Sequence, residues 1–294
     1  MRPPVDLHLH SVYSDGTRTV EEICTQAATL GISTVALSDH DTTAGLNPMR
    51  EAVAAVNKPA HRMTMIPAIE LSSGDNGLVH VLGYGVRAGA EPLESELAAL
   101  RRIRTERNVE TIRLLERLLD RKLMPEPALQ EGAGNPVLGR MHVARLLIDH
   151  DIVQSVDEAF RNYLGVGKPA YLPLKHMSTE SAVSLLRSCG AVPVLAHPAR
   201  IGFLDDQADE ALERLAGYGL MGLEVYHPSA SGADVKRLYK LAKDHNLLVT
   251  GGSDYHGEQG TRAKIGEYPA GWKTWERDLE YLQTAIGSSG TPVT

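Results

Sequence analysis

Seven short apolar runs, six of them leading to a histidine or a carboxylate, alternate with amphipathic stretches along this chain. They are VDLHLH from Val5, STVALSDHD from Ser33, TMIPAIELS from Thr64, VHVLGYGV from Val79, AVPVLAHP from Ala191, GLEVYHP from Gly222 and LLVTGGSDYHG from Leu247. Strands that are apolar at nearly every position need cover on both faces, which a parallel sheet flanked by helices supplies. The stretches between them carry helix signals. Thr19 and Glu22 have capping-box spacing, and Gly31 suits the stop of the same helix. Further helices are expected near 43–56, 206–216, 232–245 and 274–286. The fold class is therefore α/β. Eight strands would close an ordinary barrel; seven predict a variant barrel, with an open doubly wound sheet as the alternative.

The alternation breaks between the fourth and fifth strands. Residues 92–176 read as a helical insertion: a long Arg, Glu and Leu-rich helix from Pro92, a second helix near 140–150 and a third near 156–164. This divides the chain into a barrel of residues 1–91 and 177–287, an inserted unit of 92–176 and a flexible tail of 288–294. The insertion holds 13 Lys+Arg and 12 Asp+Glu, whereas the remainder holds 17 and 25. The acidity of the chain thus lies in the barrel, as suits a cation site. Seven arginines from Arg101 to Arg121 are expected to form a solvated helix face with glutamate partners at helical spacing.

Lining up the strand ends brings out the chemistry. His8 and His10 alternate with Leu7 and Leu9, so both imidazoles share one face of the first strand. Asp15 follows. The second strand leads to Asp39, His40 and Asp41, the third to Glu70, the fifth to His197, the sixth to His227, and the seventh to Asp254 and His256. His80 departs from the pattern, standing near the start of the fourth. The C-terminal rim of a parallel barrel is where active sites are built. One histidine at a strand end is usually a hydrogen-bonded structural group, but this many converging titratable groups repel without cations. Imidazole and carboxylate suit Zn, Mn or Fe, and nine such groups exceed the needs of one ion. Asp39 and Asp41 are expected to orient His40 as hydrogen-bond acceptors.

The net charge of −7 argues against non-specific duplex binding, and two Phe with two Trp make a base-stacking platform a poor fit. The N-terminus lacks the apolar core of a secretory signal, and no run is long enough to span a membrane. Two cysteines, Cys24 and Cys189, read as small core residues rather than a disulfide, so a cytoplasmic location is expected.

DLHLHS with the following SDG, then SDHD, ELS, AHP and SDYHG, resemble the PHP family (polymerase and histidinol phosphatase), over Asp6 to His256. The resemblance implies a distorted, amidohydrolase-like (β/α)7 barrel. It also implies two or three divalent ions, manganese first and iron or zinc as alternatives, that hydrolyse phosphate esters. Motif by motif, it places His8, His10, Glu70 and Asp254 around one ion and Asp15, His40 and His256 around a second. Glu70, His80 and His197 fall around a third, with Glu70 bridging. GRMHVARLL from Gly139 and GVGKPAY from Gly165 further resemble the subgroup of 3′,5′-nucleoside bisphosphate phosphatases and enzymes that trim 5′-phosphorylated oligonucleotides. Arg140, at a predicted helix N-terminus, with His142 and Lys168, is then expected to hold a second phosphate. Arg200 would clamp the phosphoryl group under attack, and His227 would bind phosphate or protonate the leaving oxygen. The activity implied is removal of the 3′-phosphate of adenosine 3′,5′-bisphosphate or a related nucleotide by a metal-bridged hydroxide. A 5′-3′ exonuclease on short single-stranded RNA or DNA and a histidinol phosphate phosphatase are the alternatives. A non-catalytic metal-binding domain and a C–N hydrolase are opposed by the complete ligand set and the clustered Arg and Lys. No membrane and no obligate protein partner is indicated.

Overall fold

The apolar runs become strands in chain order: β1 (Val5–Leu9), β2 (Thr34–Leu37), β3 (Thr64–Ser73), β4 (Val79–Tyr84), β5 (Val192–Leu195), β6 (Gly222–Tyr226) and β7 (Leu248–Gly251). The computed structural model describes residues 4–58, 62–74, 78–125, 139–173, 176–203, 207–257, 263–269 and 271–288. All seven strands form one sheet whose spatial order is the chain order. The sheet meets itself where Leu9 pairs with Tyr255, and the His10 N–H donates to the Tyr255 carbonyl at 2.9 Å. The result is a nearly closed seven-stranded α/β barrel rather than an open doubly wound sheet.

One strand departs from the all-parallel expectation. β4 runs antiparallel to both β3 and β5, with Ser72 opposite His80 and Gly83 opposite Pro193. Only residues 74–78 join β3 to β4, far too few for the crossover a parallel pair requires. A hairpin is the solution that remains. β3 also continues to Ser73, three residues beyond the end expected at Glu70.

Around the sheet lie α1 (Val20–Thr29), α2 (Leu46–Val56), α6 (Thr179–Ser188), α7 (Ala208–Gly217), α8 (Gly232–Asp244) and α9 (Trp275–Ser288). The capping box of α1 is as expected: the Thr19 hydroxyl accepts from Glu22 N–H and the Glu22 carboxylate accepts from Thr19 N–H. Gly31, at φ +73°, follows its end. The tail from residue 289 lies outside the described residues. Cys24 is buried, Cys189 is half-buried and both are free. Among the described residues no helix is long and apolar enough to cross a membrane.

Contacts separate the chain into two compact units, Met1–Ser95 with His176–Thr294, and Glu96–Lys175. The second unit comprises most of α3 (Leu93–Leu119), then α4 (Arg140–Asp149) and α5 (Val156–Ala159), which runs into a π-helical turn at Phe160–Leu164. It has its own core, including Ile112, Leu115, Val143, Leu147 and Leu164. The arginines of α3 are not uniformly solvated. Arg117 pairs with Glu110 at 3.0 Å on the exposed face, but Arg107 shares an inner face with the buried Asn108 and Thr111, and its Nε is buried.

The seam between β7 and β1 has no room for a side chain. A Cβ at Gly252 would lie 2.4 Å from the His8 Cβ and 2.5 Å from its backbone nitrogen. Buried Asp6 bridges the same seam, accepting from Ser253 N–H at 2.9 Å and from Ser253 Oγ–H and Gly266 N–H at 2.7 Å. Relieving such an overlap moves backbone, at the upper end of overpacking costs. Gly252→Ala should therefore lower the unfolding free energy by about 3 kcal/mol. Chemical denaturation measures this, and an unchanged midpoint and slope would rule out the close approach.

Candidate metal centre

The reversal of β4 explains why His80 departs from the strand-end pattern. Because β4 runs against its neighbours, its first residues stand at the rim where the parallel strands end, opposite Ser72 of β3. All nine expected ligands therefore meet at one end of the barrel.

Glu70, fully buried, is the hub. Its Oε2 lies 3.2 Å from His8 Nε2, 3.2 Å from His10 Nε2 and 3.1 Å from His40 Nδ1. Its Oε1 lies 2.9 Å from His80 Nδ1 and 3.0 Å from His197 Nε2. Asp254 Oδ1 completes the first group, 3.4 Å from His8 Nε2 and 3.2 Å from His10 Nε2. Asp15 gathers the second, 3.2 Å from His256 Nε2 and 3.9 Å from both His10 Nδ1 and His40 Nε2. Two of the ligand groupings that geometry alone picks out are His8, His10, Glu70, Asp254 and His10, Asp15, His40, His256. The third is His40, Glu70, His80, beside which His197 Nε2 stands 3.2 Å from His80 Nδ1.

The donor set fits divalent cations. His8 Nε2, both nitrogens of His10, His40 Nδ1 and Glu70 Oε2 are buried without hydrogen-bond partners, an arrangement that is costly unless something positive fills it. Ring tautomers agree, as assigned from the partners of the other nitrogen. His256 Nδ1 faces the Asp254 carbonyl at 2.8 Å, so its proton belongs there and the Nε2 lone pair points to Asp15. His8 Nδ1 faces Glu224 Oε1 at 2.8 Å, again leaving Nε2 as the lone pair. This is the carboxylate–histidine pairing that orients metal ligands.

His227 has the opposite tautomer. The Ser229 N–H donates to its Nδ1 at 3.0 Å, so its proton sits on Nε2, directed at Asp254 Oδ2 at 3.3 Å. A ring so held is a hydrogen-bond donor toward the rim, not a ligand. Arg200 reaches the same carboxylate oxygen, with Nη1 at 3.6 Å, while remaining largely exposed. Asp254 thus turns Oδ1 to the histidines and Oδ2 to two potential phosphate-binding groups.

Charge in this cluster is strongly coupled. Burial alone would raise the carboxyls, yet the surrounding imidazoles hold Glu70, Asp15 and Asp254 well below the usual range. Burial likewise opposes charge on His8 and His10. The carboxylates around them outweigh it, holding His8 well above its ordinary value and His10 up at about 10. At His40 burial wins, pushing it down to about 3. With no cation bound, protons on His8 and His10 supply the positive charge that the carboxylates demand.

One residue of consequence at the cluster escaped the sequence reading. Glu224, fully buried in β6, orients His8 through Oε1 and accepts the His197 N–H through Oε2 at 2.8 Å. That bond helps fix His197 at φ +31°; Asp254 and Asp41 also stand in the left-handed region, at φ +52° and +51°. Such strained non-glycine backbone persists only where its surroundings over-determine it. The signal for Glu224 was a lone carboxylate amid apolar GLEVY. The expectation for Asp39 is corrected: it accepts from Ser11 N–H, Ser11 Oγ–H and Ser14 Oγ–H, and so holds the loop after β1 rather than His40. Asp41 accepts from Ser72 N–H.

The three residues expected to hold a second phosphate lie in the helical unit. Arg140 stacks over Phe160 and Tyr171, at 5.6 and 6.0 Å from the ring centres. His142 Nδ1 accepts the Gly139 N–H at 3.1 Å, closing the first turn of α4. Lys168 is exposed, on a turn in which its N–H meets the Gly165 carbonyl.

A family profile for the PHP domain matches residues 6–99. Of the related proteins, 5′-3′ exoribonuclease Rnm of Escherichia coli is 30% identical over 92% of this chain and 94% of its own length. Phosphoribosyl 1,2-cyclic phosphate 1,2-diphosphodiesterase of Eggerthella lenta is 32% identical over 89% and 97%. The 3′,5′-nucleoside bisphosphate phosphatase of Chromobacterium violaceum is 34% identical over 87% and 89%. Among solved structures, a protein of Bifidobacterium adolescentis designated a metal-dependent phosphoesterase superposes with a TM-score of 0.81 at 29% identity, over 97% and 98% of the two chains. The chain belongs to the PHP family, and it is a metal-dependent phosphoesterase of that family.

Because a cation must displace the protons on His8 and His10, metal affinity should fall as pH falls. Calorimetric titration of Mn²⁺ is expected to show about a tenfold loss of affinity per pH unit for each proton displaced. Chelation should lower the melting temperature and Mn²⁺ restore it. A melting temperature indifferent to both would contradict a metal centre here.

Proposed function

We propose that the protein removes the 3′-phosphate from nucleoside 3′,5′-bisphosphates. The observation that carries the reading is the placement of Arg200 and His227 on the outer oxygen of Asp254, where a guanidinium and an imidazole N–H flank the cluster of candidate ligands. The 34% identity to a 3′,5′-nucleoside bisphosphate phosphatase over most of both chains supports the choice of substrate.

His8, His10, Asp15, His40, Glu70, His80, His197, Asp254 and His256 would hold two or three divalent ions, manganese first. When bound, such ions supply an activated water near neutral pH and neutralise charge on the phosphoryl oxygens. The chain's own groups do the rest. Arg200 offers a forked donor to the phosphoryl oxygens, whose charge is greatest in the transition state. Since the Ser229 N–H engages Nδ1 of His227 as an acceptor, the ring presents Nε2–H to a phosphoryl or leaving oxygen. Glu224 keeps His8 aimed and His197 in its strained turn. Arg140, His142 and Lys168 are assigned the phosphate that is not removed.

A 5′-3′ exonuclease is the second reading, favoured by the 30% identity to an exoribonuclease over 94% of its length. The acidic balance and scarcity of aromatic residues favour the smaller substrate.

With Mn²⁺ supplied, turnover of adenosine 3′,5′-bisphosphate should yield AMP. Its kcat/KM should exceed that of a 5′-phosphorylated trinucleotide, phosphoribosyl 1,2-cyclic phosphate and histidinol phosphate by at least about tenfold, the scale of one charge-assisted contact. Faster release of mononucleotides from the trinucleotide would move the assignment to the exonuclease. Arg200→Ala should lower kcat by about a hundredfold, as expected for a donor to transition-state charge. Arg140→Ala should raise KM more than it lowers kcat, and loss of kcat alone would contradict its role.

A further inference from the structure

His40 differs from other rim histidines in what holds it. The rings of His8 and His256 are each aimed by an acceptor facing Nδ1, the Glu224 carboxylate and the Asp254 carbonyl. Both nitrogens of His40 instead face carboxylates expected to share its ions, Glu70 at 3.1 Å from Nδ1 and Asp15 at 3.9 Å from Nε2. Its Nδ1 is buried without a hydrogen bond among the described residues. Yet His40 belongs to two of the three ligand groupings. A ligand ring is ordinarily oriented by the partner behind it. Where that partner is missing, the position comes from the backbone, here the loop that joins β2 to α2.

The incoming half of this loop is tied to the barrel. Asp39 accepts from Ser11 and Ser14. The Asp41 N–H donates to the Glu70 carbonyl at 3.0 Å, and Asp41 Oδ1 accepts from Ser72 N–H at 2.9 Å. The chain then leaves Asp41 through the left-handed region, at φ +51°. On the outgoing half, the Thr42 hydroxyl bonds within the loop, accepting from Ala44 N–H at 3.2 Å. Thr43, only 5% exposed, bonds outside it: its hydroxyl donates to Glu94 Oε1. The same oxygen accepts from Gly89 N–H at 3.4 Å. Glu94 lies in the first turn of α3, where Leu93 and Leu97 are fully buried. Thr43 and Glu94 both belong to the barrel unit.

Metal–ligand distances hold to within about 0.2 Å. A small release of this loop is therefore felt at an ion before it is felt by the fold. We propose that Glu94 is a positioning residue for the metal centre: through Thr43 it fixes the loop that presents His40. It acts as a hydrogen-bond acceptor rather than through its charge. This role rests on the metal centre and holds whichever phosphate ester is hydrolysed.

Calorimetric titration of Mn²⁺ into the metal-free full chain tests it, with His40→Ala identifying the binding steps that need His40. Glu94→Ala and Thr43→Val should each weaken those steps by about tenfold, the lower end of the loss when a partner behind a metal ligand is removed. The grouping of His8, His10, Glu70 and Asp254 lacks His40, so its step should stay within about twofold of wild type. Glu94→Gln keeps the accepting oxygen and Thr43→Ser keeps the hydroxyl, so both should bind Mn²⁺ as the wild type does. Phosphate release by Glu94→Ala should fall at limiting Mn²⁺ and recover as Mn²⁺ is raised. If Glu94 merely anchors α3, thermal melts of the metal-free variants shift while Mn²⁺ binding does not, and the proposal fails. Equal weakening of every step, or Glu94→Gln as impaired as Glu94→Ala, would also overturn it. Thr43→Val carries the test if Glu94→Ala does not fold. A wild-type chain that takes up no Mn²⁺ would refute the metal centre itself, so the two failures are distinct.

Discussion

Everything at the rim of this barrel is organised by one buried carboxylate that five histidines share. Glu70 faces five imidazoles, three through one oxygen and two through the other. A carboxylate in that position favours positive charge on its neighbours, and imidazoles so close to one another resist carrying it together. The competition is visible in the opposite directions of His10 and His40. Divalent cations resolve it, because they concentrate charge between the ligands instead of on the rings.

Holding this cluster in place falls to a layer of buried hydrogen bonds beneath it. Glu224 orients His8 and the His197 backbone, Asp39 ties the loop after β1, and Asp6 closes the seam. Each carboxylate accepts two or more bonds that would otherwise be left unmade in a dry interior. Three residues at the rim adopt left-handed backbone conformations, and two of them, His197 and Asp254, are among the expected ligands. The energetic burden of the site is thus shared between local strain and this supporting layer.

Much of the fold was legible because each strand run kept its apolar character and its helix kept its caps. Val5, Leu7 and Leu9 were readable as one face of β1, and His8 with His10 as the other. The direction of β4 was not inferred, although the short link from Ser73 to Val79 contained it; strand–helix alternation is a rule about most connections, and this one has no helix. The functions of Asp6, Asp39 and Glu224 were hidden for a different reason. Their partners are backbone groups and residues tens to hundreds of positions away, as with His8 and Glu224, which are 216 apart. No spacing rule reaches that far. The inward turn of Arg107 was equally obscure, since a helix rich in arginine and glutamate reads alike on either face.

The hairpin of β3 and β4 has a consequence for how the centre comes into being. Glu70 and His80 are ten residues apart and can meet by closing one short loop, on the timescale of about microseconds for a hairpin. His8 must await contacts with Glu224 that close a loop more than twenty times longer, at correspondingly greater entropic expense. Assembly of the ligand cage therefore has a natural starting point. The shared carboxylate and its nearest histidine can form a partial cation trap while most of the barrel is still unordered, leaving the remaining strands to be recruited around it.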